Sequence, residues 1–244
     1  MVKSVDIGIL FIHGIVGNNR IFNFLTPYIP EGCDVSWLTL CGHGGDALAF
    51  SRASMERWKA QVSEAVGQMR DRCRKVIVVA HSMGCLFAIA EALKGMTDAL
   101  LLLNPPIKIR LTKRMFTNAA KVAVGRTHHD PIAQSALAAY GIALDRNPLH
   151  YYGWPARYLE LFAEIRNVRR LLSCGTLRCA TRVFLSAKDE MVSVRSASYF
   201  SNQPNCRLSV LNDASHYYFT ASAQAEIGRE FSTMLSAAQE PLPD

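Results

Sequence analysis

Six apolar runs, at residues 7–12, 35–40, 76–80, 99–103, 182–186 and 207–211, limit what this chain can fold into more than any other feature. A strand with one wet face alternates apolar and polar residues. Most of these runs do not, so both of their faces have to be covered. Helical patterns lie between them. The clearest, residues 54–73, brings Met55, Trp58, Val62, Ala65, Val66, Met69 and Cys73 to one side, with Ser54 as N-cap and Glu56 in the first turn. A second helix is expected over residues 83–94, stopped by Gly95, and a third over residues 221–235. This alternation predicts an α/β fold, a mostly parallel sheet of about six strands with helices on both faces.

Residues 105–176 interrupt the alternation. They hold no convincing strand, only helical pieces around 113–124, 131–140 and 155–172. An insertion after a strand's C-terminal end lies over the edge where α/β sheets bind ligands, so the segment reads as a small helical lid. The core is then residues 1–104 together with 177–244.

Bulk properties narrow the class. A chain of 244 residues that is 50% hydrophobic can bury one large core, which argues against a disordered or fibrous protein. A net charge of +7 invites anionic partners, but 19% charged residues is too sparse for a nucleic-acid surface. The seven cysteines are scattered and odd in number, the pattern of a reduced, cytoplasmic protein. Neither Cys41 with His43 nor Cys174 with Cys179 has a second matching pair at zinc-ligand spacing, so no metal is expected. The run at 7–12 is too short for a signal peptide or a membrane span.

The chemistry is signalled at Val76-Ile-Val-Val-Ala-His-Ser-Met-Gly-Cys85, where a buried strand runs into a lone hydroxyl. A buried hydroxyl without partners costs roughly 1–3 kcal/mol, so Ser82 is there to be used. Ala80-His-Ser-Met-Gly84 resembles the nucleophile elbow, usually Gly-x-Ser-x-Gly, with Ala80 as a departure. A serine needs a base, and the base an orienting carboxylate. Asp189 follows the fifth run and His216 the sixth, at ends that a parallel sheet brings to one edge. Glu190 is the alternative acid, and Asp213 reads as a turn cap. His81 and His43 read as structural, His81 by packing and His43 by a hydrogen bond. His128, His129 and His150 lie in the lid with no partner indicated. Oxyanion donors are expected from the backbone of Met83 and, by likeness to the His-Gly loop of serine esterases in Phe11-Ile-His-Gly-Ile15, of Ile15.

Together these pieces resemble the serine α/β-hydrolase superfamily, and within it small bacterial carboxylesterases and monoacylglycerol lipases with a short lid. The matching pieces are His13-Gly14, Gly42-His-Gly44 followed by the Trp58 helix, Ala80 to Gly84, Asn104-Pro-Pro106, Lys188-Asp-Glu-Met-Val192 and Ser215-His216. The first strand here corresponds to the family's third. The resemblance implies hydrolysis of short- to medium-chain acyl esters or monoacylglycerols through an acyl-enzyme, without metal or organic cofactor. A thioesterase or acyltransferase would use the same triad, and a non-catalytic relative would usually lose one triad member. Dehalogenases and epoxide hydrolases of this fold need an aspartate where Ser82 stands.

Substrate preference falls to the lid. Phe116, Tyr140, Tyr151, Tyr152, Trp154, Tyr158 and Phe162 either line an acyl pocket or pack the lid's own small core. Lys108, Arg110, Lys113, Arg114, Lys121 and Arg126 come with no acid among residues 105–127. They form either a solvated face or a weak contact with an anionic membrane surface. Because the triad and both oxyanion donors lie outside the lid, shortening it is expected to alter chain-length preference more than the reactivity of Ser82.

Overall fold

All six runs are strands, and they pair in parallel in one sheet in which the first strand lies between the second and the third, followed by the fourth, fifth and sixth. The computed structural model describes residues 5–110, 112–113, 117, 130–144 and 146–239. The strands are β1 (Val5–Ile12), β2 (Asp34–Leu38), β3 (Cys73–His81), β4 (Ala99–Leu103), β5 (Ala180–Ser186) and β6 (Cys206–Leu211). The described helices are α1 (Ala47–Ser51), α2 (Met55–Arg72), α3 (Met83–Leu93), α4 (Pro131–Ala139), α5 (Trp154–Cys174) and α6 (Ala221–Gln239).

Two apolar layers explain why the central runs are apolar at every position. Ile9 and Phe11 of β1, Ile77 and Val79 of β3, and Leu101 and Leu103 of β4 enter the layer under α6 and the 3-10 helix Asn19–Tyr28. Their neighbours Leu10, Ile12, Val76, Val78, Ala80, Leu100 and Leu102 enter the layer under α2, α3 and α5. A strand buried on both faces has no position at which a polar side chain would be solvated.

The expected helices form with small differences at their ends. Ser54 Oγ accepts the Arg57 N–H at 3.2 Å to start α2, which buries Met55, Trp58, Val62, Val66 and Met69. Gly95 follows α3 with φ +79°, a conformation that stops the helix at no steric cost. β2 ends two residues before its apolar run does, because the Leu40 N–H donates to His13 Nε2 at 3.1 Å instead of continuing the ladder. α6 runs on to Gln239, its Ala-rich last turn being a good helix former.

The expected insertion divides in two. α5 carries Leu161, Ile165, Val168 and Leu172 into the same layer as α2 and α3, so the second half of residues 105–176 is the crossover helix between β4 and β5. α4 starts at Asp130, whose Oδ1 accepts the N–H groups of Ile132 and Ala133 at 3.1 and 3.2 Å. The helix expected around 113–124 lies outside the described residues apart from Lys113 and Thr117. Arg114, Phe116, Lys121, Arg126, His128 and His129 lie outside them too.

Topology fixes where a ligand can sit. The chain goes from β1 to β2 on one side, then returns to β3 on the other side of β1. The crevice at the carboxyl ends of β1 and β3 is therefore the switch point of the sheet. No helix among the described residues is long and apolar enough to cross a membrane.

Candidate active site

The turn from β3 into α3 lies at these strand ends and holds Ser82 in an unusual backbone conformation, φ +51° and ψ −123°. For a residue with a Cβ that conformation costs on the order of 1–3 kcal/mol, and it persists only where the surroundings enforce it. The enforcing groups are visible. The Ser82 N–H donates to the Leu103 carbonyl and the Ser82 carbonyl accepts from Cys85 N–H, both at 2.9 Å. Gly84 has to be glycine, because a Cβ there would stand 2.3 Å from the Ile12 carbonyl oxygen. Gly14 is equally constrained, since its Cβ would come within 2.8 Å of the Ser82 Cβ. Ala80, the departure from the usual glycine, is accommodated because its methyl lies in the core layer under α3.

Three residues remote in sequence meet at this turn. Ser82 Oγ lies 3.0 Å from His216 Nε2, and His216 Nδ1 lies 2.7 Å from Asp189 Oδ2. A carboxylate only accepts, so Nδ1 carries the ring proton and Nε2 is left to accept from the serine hydroxyl. All three are buried, with His216 0% and Asp189 1% exposed. The other carboxylate oxygen of Asp189 accepts the N–H groups of Met191 and Val192, each at 2.7 Å, which fixes the acid in the turn after β5.

The loop carrying His216 is held from three strands. His81 Nε2–H donates to the His216 carbonyl at 2.9 Å. Asn104 Nδ2 donates to the carbonyls of Ser215 and His216 at 3.3 Å, while its Oδ1 accepts the Ser186 N–H at 2.8 Å. Glu190, the alternative acid, accepts the His216 backbone N–H at 3.3 Å, and Asp189 takes the ring. Asp213 caps instead, accepting from Thr220 and Ser222 at 2.6 and 2.9 Å. Burial alone would lower the His216 pKa, but the Asp189 charge and hydrogen bond, aided by Glu190, hold it above the usual 6.5. Burial drives His81 the other way, well below 6.5, and the neighbouring His216 adds to the effect, so His81 is a neutral donor.

Beside Ser82, Gly14-Ile-Val-Gly17 forms a turn closed by the Gly17 N–H to the Gly14 carbonyl at 3.1 Å. Val16 occupies its third position with φ +50°, where type II turns usually place glycine. Ile15, the expected oxyanion donor, is the second residue of this turn. Met83 is the first residue of α3, where the backbone N–H has no intrahelical acceptor. Two histidines tie this loop to the one after β2. His13 Nδ1–H donates to the Gly14 carbonyl at 2.8 Å while its Nε2 accepts the Leu40 N–H. His43 Nε2 accepts the Val16 N–H at 3.0 Å.

Burial lowers the pKa of His13 to about 4 and of His43 to about 3. The unfolded chain therefore binds more protons than the folded one between these values and 6.5. The stability they contribute is complete above 6.5 and is lost as pH falls through that window, by an expected few kcal/mol in all. Urea unfolding at neutral pH and near pH 4 should show this loss, and it should shrink in His43→Gln. Equal midpoints for the wild type at the two pH values would contradict the assignment.

The sequence pointed to Ser82, Asp189, His216, Ile15 and Met83; the structure puts the first three within hydrogen-bond distance along one relay, Met83 directly after Ser82 at the start of α3, and Ile15 directly after Gly14, which abuts Ser82. It missed Asn104. The available signal was an asparagine, a residue type tolerant of positive φ, placed directly after an apolar strand and before Pro105-Pro106. Its φ is +50°, and with Val16 and Ser82 it completes the positive-φ non-glycine residues among those described, all three at this site. No group of three or more histidine, cysteine or acidic residues among the described residues is arranged to hold a metal ion.

A parallel sheet with a strained strand-to-helix turn at its switch point and helices on both faces is the α/β-hydrolase fold. A family model described as "Alpha/beta hydrolase family" matches residues 9–228, and the chain belongs to that family. A stretch of 83 residues is 32% identical to a thermostable monoacylglycerol lipase of Bacillus sp. (strain H-257), covering 34% of this chain and 33% of that enzyme's length. Among solved structures, the chain is similar to that reported for LipS and LipT, two metagenome-derived lipolytic enzymes, with a TM-score of 0.71 at 17% identity over 96% of this chain and 95% of that one. It is also similar to a monoacylglycerol lipase of Paleococcus ferrophilus, with a TM-score of 0.65 at 14% identity and 95% of both chains covered.

Proposed function

We propose that this protein is a serine hydrolase of carboxylic esters, with Ser82 as nucleophile, His216 as general base and acid, and Asp189 as the carboxylate that orients it. The observation that carries the reading is the buried relay of 3.0 and 2.7 Å from Ser82 Oγ through His216 to Asp189. Ser82 Oγ attacks the ester carbonyl while its proton passes to His216 Nε2. The N–H groups of Ile15 and Met83 receive the negative oxygen of the tetrahedral intermediate. As the intermediate collapses, the C–O bond breaks and Nε2–H protonates the departing alcohol. Water, deprotonated by His216, then attacks the acyl-enzyme and releases the carboxylic acid.

Short- to medium-chain acyl esters or monoacylglycerols are the proposed substrates. The apolar surface for an acyl chain would come from the segment read as the lid, whose Tyr140, Trp154, Tyr158 and Phe162 are partly buried against the core. A cytoplasmic location accords with the scattered cysteines. The test is a profile of kcat/KM over p-nitrophenyl esters of increasing chain length, monoacylglycerols and acyl-CoA thioesters. Turnover of the oxygen esters with an optimum at short to medium chains supports the reading. Turnover confined to thioesters would replace it with a thioesterase.

A further inference from the structure

We propose that His43 is a positioning residue for the reaction, holding through the Val16 N–H an oxyanion turn that residues 139–143 brace from the Val16 carbonyl. The inference rests on the esterase reading above.

Val16 is the starting point. A β-branched residue at φ +50° disfavours its own conformation, yet Val16 keeps it. In a turn of this kind the orientation of the peptide between the second and third residues decides the turn type, and that peptide supplies the Val16 N–H. His43 Nε2 accepts this N–H at 3.0 Å, so the imidazole holds the peptide on the C-terminal side of Ile15 against the flip that would relieve Val16. Burial keeps the ring neutral, which leaves the Nε2 lone pair available.

The other end of Val16 is held from the segment expected to be a lid. The Val16 carbonyl accepts the Gly141 N–H at 2.7 Å, and the Asn18 N–H donates to the Ala139 carbonyl at 3.0 Å. Gly141 in turn accepts the Gly44 N–H at 2.6 Å, and the Ala143 N–H donates to the Gly45 carbonyl at 2.8 Å. Gly141 can pass this close only because it has no side chain, since a Cβ would meet the Gly17 carbonyl oxygen at 2.0 Å. The His43 ring is fixed by Phe50 at 5.3 Å and Trp58 at 5.2 Å between centroids, and Phe50 contacts Trp154 of α5 at 4.9 Å. The expectation that shortening residues 105–176 alters chain-length preference more than the reactivity of Ser82 is therefore confined to the part of the segment outside residues 139–143. Residues 139–143 belong to the support of the oxyanion turn.

The test separates the acceptor from the ring. His43→Phe keeps an aromatic ring against Phe50 and Trp58 and removes the acceptor. His43→Gln removes the ring and keeps an acceptor where Nε2 stood, and His43→Asn removes both. On p-nitrophenyl acetate, His43→Phe and His43→Asn are expected to lose about 10- to 100-fold in kcat with KM little changed, the scale expected for a misplaced catalytic group. Binding of a trifluoromethyl ketone, which forms the tetrahedral adduct, should weaken by the same factor. His43→Gln should recover most of kcat even though its Tm falls with the lost ring. If His43→Phe does not fold, His43→Gln against His43→Asn decides the same question. Activity that follows Tm across the variants, or a folded His43→Phe with wild-type kcat, overturns the proposal while the esterase reading stands. Wild-type protein that turns over no ester and takes no fluorophosphonate overturns both.

Discussion

Ser82→Ala is expected to abolish ester turnover, by about 10⁶-fold in kcat on the scale of other serine hydrolases, with the fold intact. The loss follows from position rather than from residue type. Ser82 Oγ is the hydroxyl at 3.0 Å from His216 Nε2, and among the described residues no other side-chain oxygen bonds that nitrogen. Stability should change little. The substitution removes one oxygen, leaves the Cβ that packs beside Gly14, and does not touch the backbone bonds to Leu103 and Cys85 that hold the turn. Initial rates with a p-nitrophenyl ester and a thermal melt check the two halves. A well-folded variant with wild-type turnover would reject Ser82 as nucleophile.

His216→Ala is expected to cost a loss of similar scale, and Asp189→Asn about 10⁴-fold, because an amide at that position leaves the imidazole in the wrong tautomer. The two differ in their pH signature. His216 must be neutral to accept the serine proton, and its folded pKa lies above 6.5 because of the charge on Asp189. Wild-type kcat/KM should therefore rise with pH through a value above 6.5. The residual activity of Asp189→Asn should rise through a lower one, since burial then acts on the ring with only Glu190 opposing it. His81→Ala should affect mainly stability, because its ring packs 4.9 Å from the His216 ring and its hydrogen bond goes to the His216 backbone carbonyl rather than to Ser82 Oγ or the ring nitrogens of His216. Equal catalytic losses in folded His81 and His216 variants would contradict the assignment of the base.

Reading the chain in order recovers the sheet because burial on both faces leaves a local mark. Residues 76–80 and 99–103 can be recognised without knowing what covers them. Ser82 was legible for a similar reason, since Gly84 is demanded by the carbonyl of Ile12 and so leaves a fixed spacing in the sequence. His216 and Asp189 were legible through their place at the ends of apolar strands. The bonds of Asn104 to Ser215 and His216 span more than a hundred residues and leave no spacing to detect. Those from Gly141 to Val16 and from His43 to Val16 are equally non-local. For the same reason the sequence does not separate α5 from the segment before it. Its amphipathic pattern shows that one face is buried, and only the fold shows that the covering surface is α3 and the sheet.

The proposed mechanism requires a covalent bond to Ser82. Wild-type protein treated with a fluorophosphonate, digested and mapped by mass spectrometry should carry one adduct, on the peptide that contains Ser82. The same treatment of Ser82→Ala should leave every peptide unmodified. A stoichiometric adduct on another residue, or active enzyme that the reagent neither labels nor inhibits, would contradict it.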